Sequence, residues 1–269
     1  MLENLLVNTL LFAGALGVLV VGVFLIALMR RDNSVMDIAY GPLFFIAAII
    51  TIINTPTSTP LSFLIAGLTG LWAIRLSLRI YRKNKGKPED PRYAAWRAAW
   101  LKKGFTYFAV RSFLQINVLQ GAIIVLVSLP FLLAVSDPTS DVSPIFMYVG
   151  FFIFALGLGI ETLADSELDA FLARKRAGKE PAVLMTTGLF FFSRRPNYFG
   201  ETLIWWGFAA MVLPLPFGVV GILSPLLITY IVTKVTGPML EKIFLEKYPA
   251  EYGEYMRTTN YFLPGIPRK

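Results

Sequence analysis

Long apolar runs organise this chain. Seven of them, roughly 5–29, 36–53, 60–81, 106–134, 144–165, 197–213 and 217–236, approach or exceed the ~20 residues that span a bilayer's hydrocarbon core. They predict an all-α integral membrane protein: a seven-transmembrane-helix bundle forming one domain over 1–269, without an internal repeat or a separate soluble domain. The first run is too long for a signal peptide and lacks both a basic start and a small-residue cleavage pattern, so it reads as a retained span. The connections alternate in charge. Residues 54–60, 135–144 and 213–218 contain no lysine or arginine. Arg30 and Arg31, the segment 79–103, Arg174 to Lys179, Arg194 and Arg195, and the tail carry the basic residues of the other side. The positive-inside rule then places the N-terminus outside and the C-terminus in the cytoplasm, as an odd number of spans requires.

Composition narrows the chemistry. The chain is 56% hydrophobic with a mean hydropathy of +0.63, too apolar for a soluble domain of this length. Its net charge of +8 reads as lysine and arginine in cytoplasmic loops, not as a nucleic-acid surface. It has no cysteine and no histidine, so thiolate ligands and the commonest general base are both missing, and no metal is expected. Acid–base work falls to Asp, Glu, Tyr or Lys.

Polar residues inside apolar runs must be paired or face a cavity. Asp37 and Tyr40 share a face at the start of the second run. Arg75 lies beside Trp72 in the third, followed by Arg79, and the fourth carries Arg111, Gln115, Asn117 and Gln120. Glu161 and Asp165 lie four apart at the end of the fifth. Lys234 and Glu241 flank Gly237-Pro238 in the seventh. Almost all fall in the cytoplasmic half, which predicts a polar chamber open to the cytoplasm beneath an apolar outer half. Structural roles compete at each position. Arg75, Arg79 and Lys234 can snorkel, Asp37 can complement a helix dipole, and the amides can bond between helices. Lys234 and Glu241 can bridge the kink. The richest stretch is Ser193-Arg-Arg-Pro-Asn-Tyr-Phe-Gly-Glu201, where Pro196 opens a helix whose mouth faces two arginines and suits an anion. Between the third and fourth runs, Tyr93, Trp96 and Trp100 recur at i, i+3, i+7 among Arg92, Arg97, Lys102 and Lys103. That spacing predicts a helix in the membrane interface, with room for a role in covering a cofactor.

Familiar cofactor motifs are missing. Gly157-Leu-Gly159 sits inside an apolar helix and lacks the rest of a dinucleotide fingerprint, and no Walker, H-E-x-x-H or G-x-S-x-G pattern occurs. A phosphate-bearing cofactor would have to be held by the bundle's own side chains, beside an apolar slot for a lipophilic substrate.

Several separated motifs resemble the steroid 5-alpha-reductase superfamily, and more closely its bacterial branch known by a domain-of-unknown-function label. They are Asn84-Lys-Gly-Lys-Pro88, Glu89-Asp-Pro-Arg-Tyr93, Val118-Leu-Gln-Gly121, Glu161 with Asp165, Thr186-Thr-Gly-Leu189 leading to Ser193–Glu201, and Glu246-Lys-Tyr-Pro249. The resemblance implies an NADPH-dependent reductase of the conjugated C=C of a 3-oxo-4-ene steroid or steroid-like lipid. Hydride would go to the beta carbon while an acid–tyrosine pair polarises the carbonyl oxygen. It carries cofactor binding to Glu161, Asp165, Arg174, Arg195, Asn197, Tyr198, Glu201, Lys234 and Glu241. The family's catalytic glutamate falls near Asp37, and its tyrosine near Trp72. Tyr40 is therefore the expected catalytic partner of Asp37, and Trp72, Gln115 and Gln120 are expected to line the substrate. The family's histidine falls on Gly237. The resemblance further implies a multi-pass protein of a bacterial inner membrane whose site opens to the cytoplasm. The alternative is an S-adenosylmethionine-dependent methyltransferase of the isoprenylcysteine methyltransferase type, with Glu241, Tyr252, Tyr255 and Arg257 as its tail. A lipid-binding or transport bundle is the non-catalytic reading.

Overall fold

The computed structural model describes residues 1–56, 58–139 and 143–268. Among them the secondary structure is entirely helical, without a strand. In chain order the helices are α1 (Leu2–Arg30), α2 (Val35–Ile53), α3 (Pro60–Asn84), α4 (Pro91–Leu101), α5 (Phe105–Val127), α6 (Leu129–Ser136), α7 (Pro144–Arg176), α8 (Leu189–Phe192), α9 (Pro196–Val212), α10 (Gly218–Lys247) and α11 (Pro249–Thr258). Six of these, α1, α2, α3, α5, α7 and α10, are long and apolar enough to cross a membrane. The protein is a multi-pass helical membrane protein.

Four of the expected runs differ in detail. The run 106–134 divides at Ser128, because Pro130 in the first turn of α6 cannot continue the hydrogen-bond ladder of α5. The run 197–213 forms the 17-residue α9, roughly 25 Å long at 1.5 Å per residue and short of a ~30 Å hydrocarbon core. The run 144–165 continues to Arg176, so Glu161 and Asp165 lie within a helix instead of at its end. The last run continues past Gly237-Pro238 to Lys247. A π turn at Ile231–Thr236 widens the helix just before the proline and absorbs the missing donor.

The chain forms two compact units. The first comprises Met1–Val142 with Pro214–Val220, and the second Ser143–Leu213 with Gly221–Lys269.

In the first unit, α1 buries one stripe, Asn8, Phe12, Leu16, Val20 and Ala27, while Leu6, Leu10, Val18 and Leu25 stay exposed. A helix apolar on all sides with only one stripe packed is what lipid contact requires. Helices α2 and α3 approach closely at Gly41, where a Cβ would lie 2.9 Å from the Ala73 Cα. Pro42 inside α2 has no N–H for the carbonyl of Ile38, four residues back. Ser77 of α3 donates its hydroxyl to that carbonyl at 2.8 Å, so the defect beside Asp37 becomes an interhelical bond. At the other end of α2, Thr55 donates to Asn8 Oδ1 at 2.9 Å and Asn8 Nδ2 donates to Ser136 Oγ at 3.1 Å. This buried polar network corrects the expectation that only apolar packing closes that end.

In the second unit, α7 and α9 meet backbone to backbone. Gly150 and Gly157 on α7 face Gly207 and Gly200 on α9. A Cβ on Gly157 would lie 2.6 Å from the Gly200 carbonyl oxygen, and one on Gly207 2.6 Å from that of Gly150. Both pairs are spaced by seven residues, two helical turns, so one face of each helix is cleared along its length.

Candidate functional site

The chemistry gathers in one cluster per unit. In the first, the α1–α2 connection and the segment leading into α4 are stitched together. The Asn33 N–H donates to Glu89 Oε1 at 2.7 Å, and the Asp90 N–H donates to Ser34 Oγ at 2.9 Å. Ser112 Oγ donates to Asn33 Oδ1 at 2.8 Å. Arg97 pairs with the buried Glu89 and donates to the Arg31 carbonyl. Asp90 caps α4 through the Arg92 N–H at 2.9 Å. These bonds fix α4 so that Tyr93, 5% exposed, donates its hydroxyl to Asp37 Oδ1 at 2.6 Å. Gln120 Nε2 donates to the Tyr93 oxygen at 3.3 Å and reaches Asp37 Oδ1 at 3.5 Å. Gln120 follows a π turn at Phe113–Val118, in which Asn117 Nδ2 donates to the Ser112 carbonyl at 3.3 Å. The extra residue of a π turn rotates everything after it and re-aims the helix face. Arg92 Nη2 lies 3.5 Å from Asp37 Oδ2, with its side chain 47% exposed.

Burial, then the neighbouring Asp37 carboxylate, pushes the Tyr93 phenol well above its usual range. It therefore keeps its proton at any physiological pH. The hydrogen bond from Asp90 holds Arg92 more firmly charged than usual despite partial burial. Burial works against ionisation of Asp90, yet its bonds to Arg92 hold its carboxyl below the usual range.

Tyr40, the tyrosine expected to join Asp37, instead packs edge-on against Phe44, with ring centroids 5.3 Å apart. Phe44 in turn meets the fully buried Trp72 edge-on at 5.6 Å. Gln115 is exposed, unlike Gln120. The phenol on the acid belongs to Tyr93, which the sequence reading places in an interfacial helix and in the Glu89–Tyr93 motif but not beside Asp37.

In the second unit, Asn197 Nδ2 donates to Asp165 Oδ1 at 3.2 Å, and Glu161 and Asp165 are each 4% exposed. The glycine contact explains this proximity, because a Cβ on Gly200 would lie 2.6 Å from the Glu161 nitrogen. Tyr198 and Glu201 are half-buried on the same first turns of α9.

Arg194 is buried and fully paired. It grips Glu241 with Nε to Oε1 at 3.2 Å and Nη2 to Oε2 at 2.7 Å, and its Nη1 donates to the carbonyls of Met256 and Thr259. Tyr252 donates to Glu241 Oε1 at 2.5 Å. Burial, then that bond to Glu241, pushes its phenol up to about 12. Arg195 lies over the Phe244 ring at 5.3 Å. Its Nε and Nη2 are buried and meet no hydrogen-bond acceptor among the described residues.

Two expected ligands stand apart from this cluster, and a third within it is already engaged. Arg174 pairs with Glu180 at 3.1 Å on an exposed turn, and Lys234 is exposed. Glu241 is occupied by Arg194 and Tyr252. The position matching the family histidine, Gly237, has no room for a side chain, because the Tyr261 hydroxyl fills that space and donates to the Val232 carbonyl at 2.6 Å. Of the methyltransferase tail residues, Tyr252 reaches Glu241, whereas Tyr255 donates to the Phe190 carbonyl and Arg257 pairs with Glu254.

A family profile described as "Protein of unknown function (DUF1295)" matches residues 23–259, a span that includes Asp37, Tyr93, Asn197 and Glu241. No curated protein and no solved structure matches the chain.

Proposed function

The chain belongs to the DUF1295 family, and from that premise we propose that it is an NADPH-dependent reductase of the conjugated C=C in a lipophilic 3-oxo-4-ene steroid or steroid-like lipid. The observation that carries the reading is the buried Tyr93 hydroxyl held on Asp37, with the Gln120 amide bonded to the same phenol oxygen. Reducing an enone places negative charge on the carbonyl oxygen, and a positioned O–H donor in a water-poor site is the physical means of stabilising it. Tyr93 would turn its O–H from Asp37 onto that oxygen and stabilise the enolate by hydrogen bonding while keeping its own proton, Asp37 would position the phenol, and Gln120 would keep the ring from turning away. A proton from solvent water then bonds to the alpha carbon as the enolate collapses to the saturated ketone.

The second unit supplies a donor set that fits an anionic dinucleotide. The buried Arg195 Nε and Nη2 meet no acceptor among the described residues, and Asn197 presents an amide already braced by Asp165. Glu161, Tyr198 and Glu201 complete the expected contacts. NADPH held there would supply the hydride that the reduction consumes. In this reading α9 is the sixth of seven spans, short and packed against α7 through its glycines. The termini then lie outside and in the cytoplasm, and the site opens to the cytoplasm of a bacterial inner membrane.

The test is purified protein in detergent with NADPH and a 3-oxo-4-ene steroid. Coupled loss of NADPH and enone absorbance is the expected result, and no loss of either rules out the steroid substrate. Thermal shifts with NADPH, NADH and S-adenosylmethionine address the cofactor, since a ligand that binds the folded state raises its stability. A shift with S-adenosylmethionine alone would favour the methyltransferase.

A further inference from the structure

Residues 256–268 fold back onto the turn that precedes α9. The Arg194 N–H donates to the Asn260 carbonyl at 2.9 Å, and the Gly265 N–H donates to that of Phe192 at 3.0 Å. Ser193 Oγ donates to the Phe262 carbonyl at 2.9 Å, and the Arg268 N–H donates to that of Thr258 at 2.8 Å. The returning segment closes a cavity of about 180 Å³. Three arginines, Arg194, Arg257 and Arg268, line it together with Met256, Thr259, Asn260 and Tyr261, and among the described residues no carboxylate does. Arg194 is immobilised, its side chain 7% exposed on the bidentate Glu241 pair. Arg257 and Arg268 are exposed at the rim. The nearby acids, Glu241 and Glu254, are each already matched to one of these arginines, which leaves the cluster with an excess of positive charge.

Planar guanidinium forks around a small polar hollow match a tetrahedral oxyanion better than a carboxylate-free cavity matches any cation or neutral ligand. We infer that this cavity binds a phosphate group. The volume admits the phosphate and the first atoms of its ester; the exposed Arg257 and Arg268 would supply the donors, while Arg194, whose guanidinium is engaged by Glu241 and two carbonyls, contributes its charge. Three sources carry the same chemistry: free inorganic phosphate, the headgroup of an anionic phospholipid, and the 2′-phosphate of a dinucleotide. Only the last rests on the reductase reading.

The experiment uses the full chain in detergent, the paired variant Arg257→Gln with Arg268→Gln, and a charge-matched control, Lys85→Gln with Lys87→Gln, in the other unit. All four side chains are exposed, so both variants are expected to fold. The probes are inorganic phosphate, vesicles of phosphatidylglycerol against phosphatidylcholine, and NADPH against NADH. The expected result is at least tenfold weaker binding of one phosphate-bearing probe by the arginine variant, with the lysine control unchanged. Loss with inorganic phosphate identifies the free ion. A lost preference for phosphatidylglycerol identifies a headgroup, and a lost preference for NADPH over NADH identifies the dinucleotide. Identical binding by wild type and arginine variant for every probe would overturn the inference, as would equal weakening in the lysine control. Because only the NADPH arm concerns reduction, failure of the reductase reading leaves the other arms intact.

Discussion

Each unit holds a carboxylate met by a tyrosine hydroxyl, Asp37 with Tyr93 at 2.6 Å and Glu241 with Tyr252 at 2.5 Å. The two pairs differ in what neutralises the acid. Glu241 lies in the fork of the buried Arg194, whose remaining donors are taken by backbone carbonyls. Nothing in that network has a proton to spare or a bond to lose without leaving a charge stranded. Among the described residues Asp37 meets the half-exposed Arg92 at 3.5 Å, a phenol and an amide. A carboxylate pinned by a buried guanidinium holds structure. One met chiefly by exchangeable donors can pass a proton. Sequence spacing alone would not distinguish them, since both are acids near the end of an apolar run.

The contrast predicts where stability and activity divide. The largest stability loss is expected for Arg194→Gln, which strands Glu241 in a buried setting and should cost about 3–5 kcal/mol. In thermal unfolding of the detergent-solubilised protein that is a drop of roughly 10 °C. A drop under a degree or two would show that Glu241 is solvated or paired otherwise. Next is Gly200→Val, which drives a side chain into the α7 backbone and should cost about 3 kcal/mol by overpacking. Retained folding yield and unfolding temperature would show that the two helices can separate freely. Tyr252→Phe removes one hydrogen bond to a charged group and should cost about 1–2 kcal/mol at neutral pH.

The smallest effect is one of pH. Burial comes first among the causes that raise Tyr252 and Tyr261 from the ordinary 10 to about 12. Below pH 10 both phenols are protonated in the folded and unfolded chain, and they contribute no pH dependence. Between pH 10 and 12 the unfolded chain ionises while the folded one resists, so stability falls as pH rises. Tyr252→Phe should make that alkaline decline shallower, as read from unfolding temperature against pH.

Much of the fold is legible in the sequence because a bilayer demands long helices apolar on every side. The outlines of α1, α2 and α3 therefore follow directly from the runs at 5–29, 36–53 and 60–81. Legibility fails where a single backbone event decides the outcome. Pro130 ends α5, the π turns at 113–118 and 231–236 shift helix faces, and glycines at 150, 157, 200 and 207 set the contact between α7 and α9. The glycine spacing was visible in the chain, but seven residues is unremarkable until both helices show it.

The candidate site divides in the same way. Glu161, Asp165 and Asn197 are readable because residues four apart share a helix face, and the structure does bring Asp165 and Asn197 together. Tyr93 is not, because its partner is 56 residues away and its position depends on the bonds from Glu89 and Asp90 to the α1–α2 connection. Those two acids directly ahead of Pro91 were the available signal. Tyr40 drew attention by sharing a helix with Asp37. One turn further along that helix its ring meets Phe44.

The most direct measurement of the central claim compares turnover of Tyr93→Phe and Tyr40→Phe with NADPH and a 3-oxo-4-ene steroid, alongside NADPH affinity for each. Loss of a positioned acid should lower kcat by about 10²–10⁴-fold in Tyr93→Phe, with NADPH affinity unchanged because the cofactor contacts proposed above lie in the other unit, and Tyr40→Phe should stay within a few-fold of wild type. Full turnover in Tyr93→Phe, or an equal loss in both variants, would contradict the assignment of Tyr93 as the donor.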